Sequence, residues 1–334
     1  MPTNSRIPAQ ASLWQLDVAT YTPHSLHGPD RNFVESNCYI DIWVEMIHAA
    51  GLEVYPFLAF TLISDFEHDQ WTFYKPSFDD IQALYGISVH ELYLWGGLHQ
   101  QIARQLQHNK MVLLEADAFY LPDTQETDYQ QNHVKTTIGV EAIDLENKTL
   151  NYFHNAGYYQ LEEDDFNSIF HLDKPTIDGY LPPYCEIAKL DNVHKLPAEQ
   201  MHQKARALLN HYTSLLPKSN PITRFKAGFA DELTYLCEQG LEAYHHYAFG
   251  SLRQLGSGYE FTAYFLRELQ KAEGHNRLEP IAVMFDDISV TAKTLILKGA
   301  RMVNRKNIKD VSADFDSMAQ HWDNAMAALK EQLA

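Results

Sequence analysis

Apolar and polar positions change rhythm along the chain. Up to about residue 35 there is little periodicity, and Pro2, Pro8, Pro23 and Pro29 predict an irregular arm. From residue 37 the segment NCYIDIWVEMIHAAG places Ile40, Trp43, Val44 and Ile47 at the spacing of one helical face, with Asn37 as cap and Gly51 as stop. Residues 54–63 are an apolar run; 79–85 and 89–107 predict helices, the second interrupted at Gly96-Gly97. The period then shortens. MVLLEADAFYL (111–121) reads as a buried strand, and VKTTIGVEAI (134–143) with TLNYFHN (149–155) as an antiparallel hairpin turning at residues 144–148. Proline-rich LPPY (181–184) closes this half, and past about residue 197 the long segments return to helical spacing. The expected fold class is α+β, with a mixed lobe holding an antiparallel sheet over 1–196 and an all-helical lobe over 197–334. No repeat of fixed period points to a solenoid.

Composition narrows the function classes. A chain of 334 residues that is 45% apolar and 12% aromatic can bury a sizeable core. No apolar run approaches the roughly 18 residues of a membrane span, and the N-terminus lacks the layout of a signal peptide, so no membrane partner and a cytoplasmic location are expected. The net charge of −18 opposes a nucleic-acid partner. The 3 cysteines, Cys38, Cys185 and Cys237, are too far apart in sequence to write a disulfide framework or a paired-cysteine zinc motif. The run Asp65 to Asp69 does not converge on one ion without a distant ligand, and no metal is expected.

Candidate chemistry centres on Cys38. A thiol attacks acyl carbon as thiolate, and the first turn of a helix favours that anion because unpaired N–H groups point at the sulfur. Its partner is expected to be a histidine on another element, held in one tautomer by a third polar group. His133 begins the first hairpin strand and the return strand ends in His154-Asn155, so either of these could lie beside it, with Asn155 the preferred orienter. Cysteine at a helix start, histidine at a strand start and an amide or carboxylate after the next strand is the order of papain-like enzymes. Glu115 and Asp117 alternate with apolar neighbours and would aim into the same cleft. Against this stands the plainer reading, in which Cys38 is a small core residue, His133 caps a strand and the carboxylates face solvent.

At these residues the chain resembles a bacterial family catalogued as a domain of unknown function, related to the N-terminal domain of the butirosin-biosynthesis acyltransferase. The motifs that carry the resemblance are residues 37–51, DFEHDQWTFYKP (65–76), LYGI (84–87), EADAFYLPDT (115–124), HVKTTIGV (133–140), YFHNAGYY (152–159) and LPPY. The resemblance implies a papain-like fold and a partner that is an acyl or aminoacyl carrier protein bearing phosphopantetheine, with no tightly bound cofactor. It implies that Cys38 accepts an acyl or aminoacyl group, that His133 is general base and acid, and that Asp117 belongs to the matching strand motif. A small-molecule amine would then receive the group. Asn37, Trp43 and Tyr158 are further candidates for substrate contact.

Carrier proteins present an acidic helix, so a basic patch is expected on this chain, and Lys298, Arg301 and Arg305 share one helical face. Two alternatives compete with acyl transfer. One is a papain-like amidase or hydrolase, in which water replaces the amine. The other is a non-catalytic binder of a carrier protein or metabolite, using aromatic residues such as Trp43, Trp71 and Tyr158.

Overall fold

The computed structural model describes residues 7–172 and 182–333; residues 1–6, with Pro2 of the expected arm, and Leu181 of the proline-rich stretch lie outside them. In chain order the elements are β1 (Gln10–Ser12), α1 (Cys38–Ala49), β2 (Phe66–Glu67), β3 (Gln70–Trp71), α2 (Phe78–Tyr85), β4 (Ser88–Glu91), α3 (Leu98–Gln107), β5 (Lys110–Asp117), β6 (Lys135–Asp144), β7 (Thr149–His154), β8 (Gly157–Glu162), α4 (Glu163–Ile169) and β9 (Cys185–Lys189). Helices follow to the end: α5 (Ala198–Ser214), α6 (Pro221–Gln239), α7 (Leu241–Ala248), α8 (Gln254–Glu273), α9 (Glu279–Arg305) and α10 (Ser312–Leu333). The fold is thus α+β, an antiparallel sheet followed by an all-helical C-terminal region.

The chain forms two compact units. The first takes residues up to Gly28, Asn37–Leu52 and Phe78–Lys195; the second takes Pro29–Ser36, Glu53–Ser77 and the chain from Leu196 onward. Two pieces of the N-terminal half therefore pack with the helices. The reason is visible in the apolar run 54–63, which becomes a 3-10 helix (Tyr55–Ile63) with Phe57, Leu58 and Leu62 buried against α5 and α8. Nine residues this apolar have no solvent-facing side, so they belong in a core.

In the first unit the strands lie in the order β4-β9-β5-β6-β7-β8, with β1 pairing to the far end of β6, and all pairs are antiparallel. The run MVLL becomes a central strand, buried on both faces, which accounts for its lack of alternation. The β6–β7 hairpin forms as its spacing predicts. One expectation fails. Residues 88–91 are an edge strand paired to β9, not the start of a helix, and the helix begins only at Leu98, after Gly96-Gly97. Cross-strand pairing outweighs the helical spacing of those few residues, and the glycines break continuity.

Each face of this sheet carries its own layer. One face packs Val112, Leu114, Ile138, Val140, Tyr152 and Leu161 with Ile102, Ala103 and Leu106 of α3. The other face carries α1. A side-chain carbon at Gly139 would stand 2.7 Å from Ile42 Cγ2 and closer still to Met111 Cε, so only glycine admits the helix at this distance. Gly139 pairs with Leu113, so strand alternation puts Leu113, Glu115 and Asp117 on the α1 face.

Candidate active site

Helix α1 starts where its cap is satisfied: the Asn37 side-chain oxygen accepts from the Ile40 N–H at 3.0 Å. Asn37 is itself buried and engaged as the cap, which corrects its assignment to substrate contact. Cys38 follows as the first helical residue and is only half-buried, in a helix whose next nine residues are all buried. It precedes Ile42 by one turn, so it lies on the stripe that faces the sheet. At such a position the thiol stands at the positive end of the helix dipole. The other cysteines differ. Cys185 is buried on β9, where burial and then the charge of Glu186 push its thiol up to about 12; Cys237 lies in α6, with Sγ 3.9 Å from the Met302 carbonyl oxygen.

Asp117 ends β5, and His133 stands two residues before β6, on the strand pair that joins Asp117 to Lys135. That register brings the two side chains together: His133 Nδ1 lies 2.6 Å from Asp117 Oδ2. Asp117 also accepts from the Phe119 N–H at 3.1 Å, which fixes the carboxylate. The imidazole stacks on the Phe119 ring, with centroids 4.3 Å apart and planes 13° from parallel. An Nδ1–H donated to a carboxylate leaves Nε2 as the basic nitrogen. The His133 side chain is 66% exposed, so Nε2 can be reached from solvent.

The expected orienter is therefore replaced. Asn155 sits at φ 45° in the two-residue turn between β7 and β8, and Asp117, from the strand on the other side of β6, holds the ring instead. His154 is also corrected. It shares the parity of Tyr152 and so turns to the α3 face, where Asp123 Oδ2 at 2.5 Å and Thr136 Oγ1 at 2.8 Å take both its nitrogens. Tyr152 donates to the other Asp123 oxygen at 2.5 Å. This second, buried histidine–aspartate pair is structural. The signal that could have separated the two histidines was parity along the strands, which requires the register.

A cleft of about 350 Å³ opens beside the exposed pair, lined by Glu115, Asp117, Tyr120, His133, Lys135 and Leu114 among others. Glu115 pairs with Lys135 at 2.7 Å, so the cleft wall carries both signs of charge. Cys38 does not line this cleft, whose further lining, Leu98, Ala116 and Ile169, belongs to the apolar layer on the α3 face. Trp43 and Tyr158 are core residues of the first unit, Tyr158 donating to Glu141 at 2.6 Å. Trp71 is buried in the second unit between Phe66 and Phe225. The three are core residues, which removes the basis for an open aromatic pocket built from them.

In the second unit Lys298 is held by Asp314 at 2.7 Å, whereas Arg301 and Arg305 are exposed and line a cleft of about 420 Å³ together with Lys309. Arg224 is bound by Asp65 and Ser219, and Lys226 by Asp316. Among the described residues no group of His, Cys, Asp and Glu is arranged to hold a metal ion, and no helix is long and apolar enough to cross a membrane.

Comparison with known families gives two matches that together span most of the chain. Residues 22–190 match the model described as the DUF1839 N-terminal domain, and residues 198–331 match that of the DUF1839 C-terminal domain. A search of curated proteins returns no match.

Proposed function

The chain belongs to the DUF1839 family, and on that premise we propose that it is a cysteine-dependent acyl or aminoacyl transferase with a papain-like catalytic unit. The observation that carries this reading is the Asp117–His133 hydrogen bond beside an open cleft, in the same unit as the half-buried Cys38 that begins α1. Motif resemblance to the N-terminal domain of the butirosin-biosynthesis acyltransferase supplies the donor class, a phosphopantetheine thioester on a carrier protein.

His133 Nε2 takes the proton of Cys38, and the thiolate adds to the thioester carbonyl. The pantetheine sulfur leaves as the acyl–Sγ bond forms, and takes its proton from His133. An amine then adds to the Cys38 thioester, giving its proton to the imidazole; the C–N bond forms, the C–S bond breaks, and free Cys38 returns. Asp117 keeps Nε2 in its basic form between steps. The Cys38 backbone N–H, at the start of α1, is the candidate donor to the oxyanion. Arg301 and Arg305, with Lys298, form the basic surface suited to an acidic carrier-protein helix.

Intact-mass measurement after mixing with acyl-loaded carrier protein tests this directly. The expected result is one acyl adduct on Cys38, absent in Cys38→Ala and His133→Ala, and discharged to an amide when the amine is added. An adduct discharged only to free acid would make the protein a hydrolase. No adduct under single-turnover conditions, with Cys38→Ala fully active in its pathway, would overturn covalent catalysis.

A further inference from the structure

Helix α9 carries an unusual outer face. Its inner positions, Phe285, Ile288, Ala292 and Leu295 among them, are fully buried within the helical unit. The opposite face should then be polar, yet Val283 is 43%, Val290 55% and Leu297 56% exposed. These residues recur every seventh position, the spacing at which one helix packs along another. Charge along the same helix is segregated. Its first half bears Glu279, Asp286 and Asp287, whereas from Ile288 to Lys309 there is no acid, and Lys293, Lys298, Arg301 and Arg305 follow in turn.

We propose that this face is the contact between two copies of the chain, with α9 packed antiparallel on α9 of the second copy around a two-fold axis at Val290. The apolar stripe is symmetric about that residue, so the antiparallel register sets Val290 on Val290 and Val283 on Leu297 at both ends. The same register sets the exposed Asp287 opposite the exposed Lys293. A parallel pairing would oppose like charges, at a cost. The fit extends beyond the helix. Leu297 also lines a groove of about 600 Å³ with Val34, Phe249, His245, Lys293 and the Arg253–Glu35 ion pair. Phe249 is 50% exposed there, at the π-helical turn Phe249–Arg253. Val283 of the second copy, set opposite Leu297 by this register, reaches the apolar floor of the groove.

Sedimentation velocity on the full chain at micromolar concentration tests the proposal, together with oxidation of Val290→Cys. The expected results are a dimer and a disulfide-linked pair whose junction maps to the introduced thiols. Val290→Glu and Leu297→Glu should each weaken dimerisation about tenfold or more, with the circular-dichroism spectrum unchanged because both positions face solvent in the single chain. Asp287→Lys or Lys293→Asp alone should weaken it, and the two together should restore it. A wild-type chain that stays monomeric overturns the proposal. So does a dimer that survives Val290→Glu and forms no link through Val290→Cys. None of these readouts depends on acyl transfer.

Discussion

The arm before α1 is fastened by a buried ionic cluster whose pH dependence can be worked out. His27 Nδ1 is hydrogen-bonded to Glu45, and its Nε2 lies 3.5 Å from Asp41 Oδ1, both carboxylates being fully buried in α1. Tyr21 donates to the second Glu45 oxygen, and the His24 N–H reaches Glu45 at 3.0 Å. Burial opposes the charge on His27, but the hydrogen bonds and charges of Asp41 and Glu45 outweigh it and raise the imidazole from 6.5 to about 9. That rise corresponds to about 3 kcal/mol in favour of the protonated folded form. The sign follows from proton counting: between pH 6.5 and about 9 the folded chain holds a proton that the unfolded chain has released. The contribution is therefore complete below pH 6.5 and is lost as pH rises through about 9. Urea denaturation followed by tryptophan fluorescence across this range, with hydrogen exchange of the α1 amides, measures it. Wild type should lose about 3 kcal/mol over that window, and His27→Gln, less stable at neutral pH, should lose far less. Parallel pH profiles for the two proteins would refute the assignment of a charged His27.

Replacing Asp117 by Asn should slow acylation of Cys38 about 100-fold, because the ring loses the acceptor that selects its tautomer, while the urea midpoint stays unchanged. Asp123→Ala should do the opposite: it strands His154 and the Tyr152 hydroxyl in the core at a cost of about 3 kcal/mol, and the residual folded protein should still acylate. Gly139→Ala crowds Ile42 and Met111 and should destabilise the first unit by about 1–3 kcal/mol, as read by denaturant titration. At neutral pH a maleimide should label Cys38 and leave Cys185 untouched until denaturant is added, as peptide mapping would show.

Local sequence determined a good part of this protein. The cap Asn37, the face of α1, the buried strand of β5, the β6–β7 hairpin and the helical texture beyond residue 197 all arise from neighbours a few positions apart, and such signals survive in the folded chain. Cys38 as a helix-start thiol is local in the same way. The short strands β4, β8 and β9 were not legible, because a strand of four to six residues is stabilised by the partner it finds and not by its own spacing. The choice of Asp117 over Asn155 to hold His133, and the turning of His154 into the core, were decided by tertiary structure alone. Both depend on register, since a strand shifted by one residue presents every side chain to the other face. The sequence places Asp117 and His133 sixteen positions apart; only the pairing of β5 with β6 makes them neighbours.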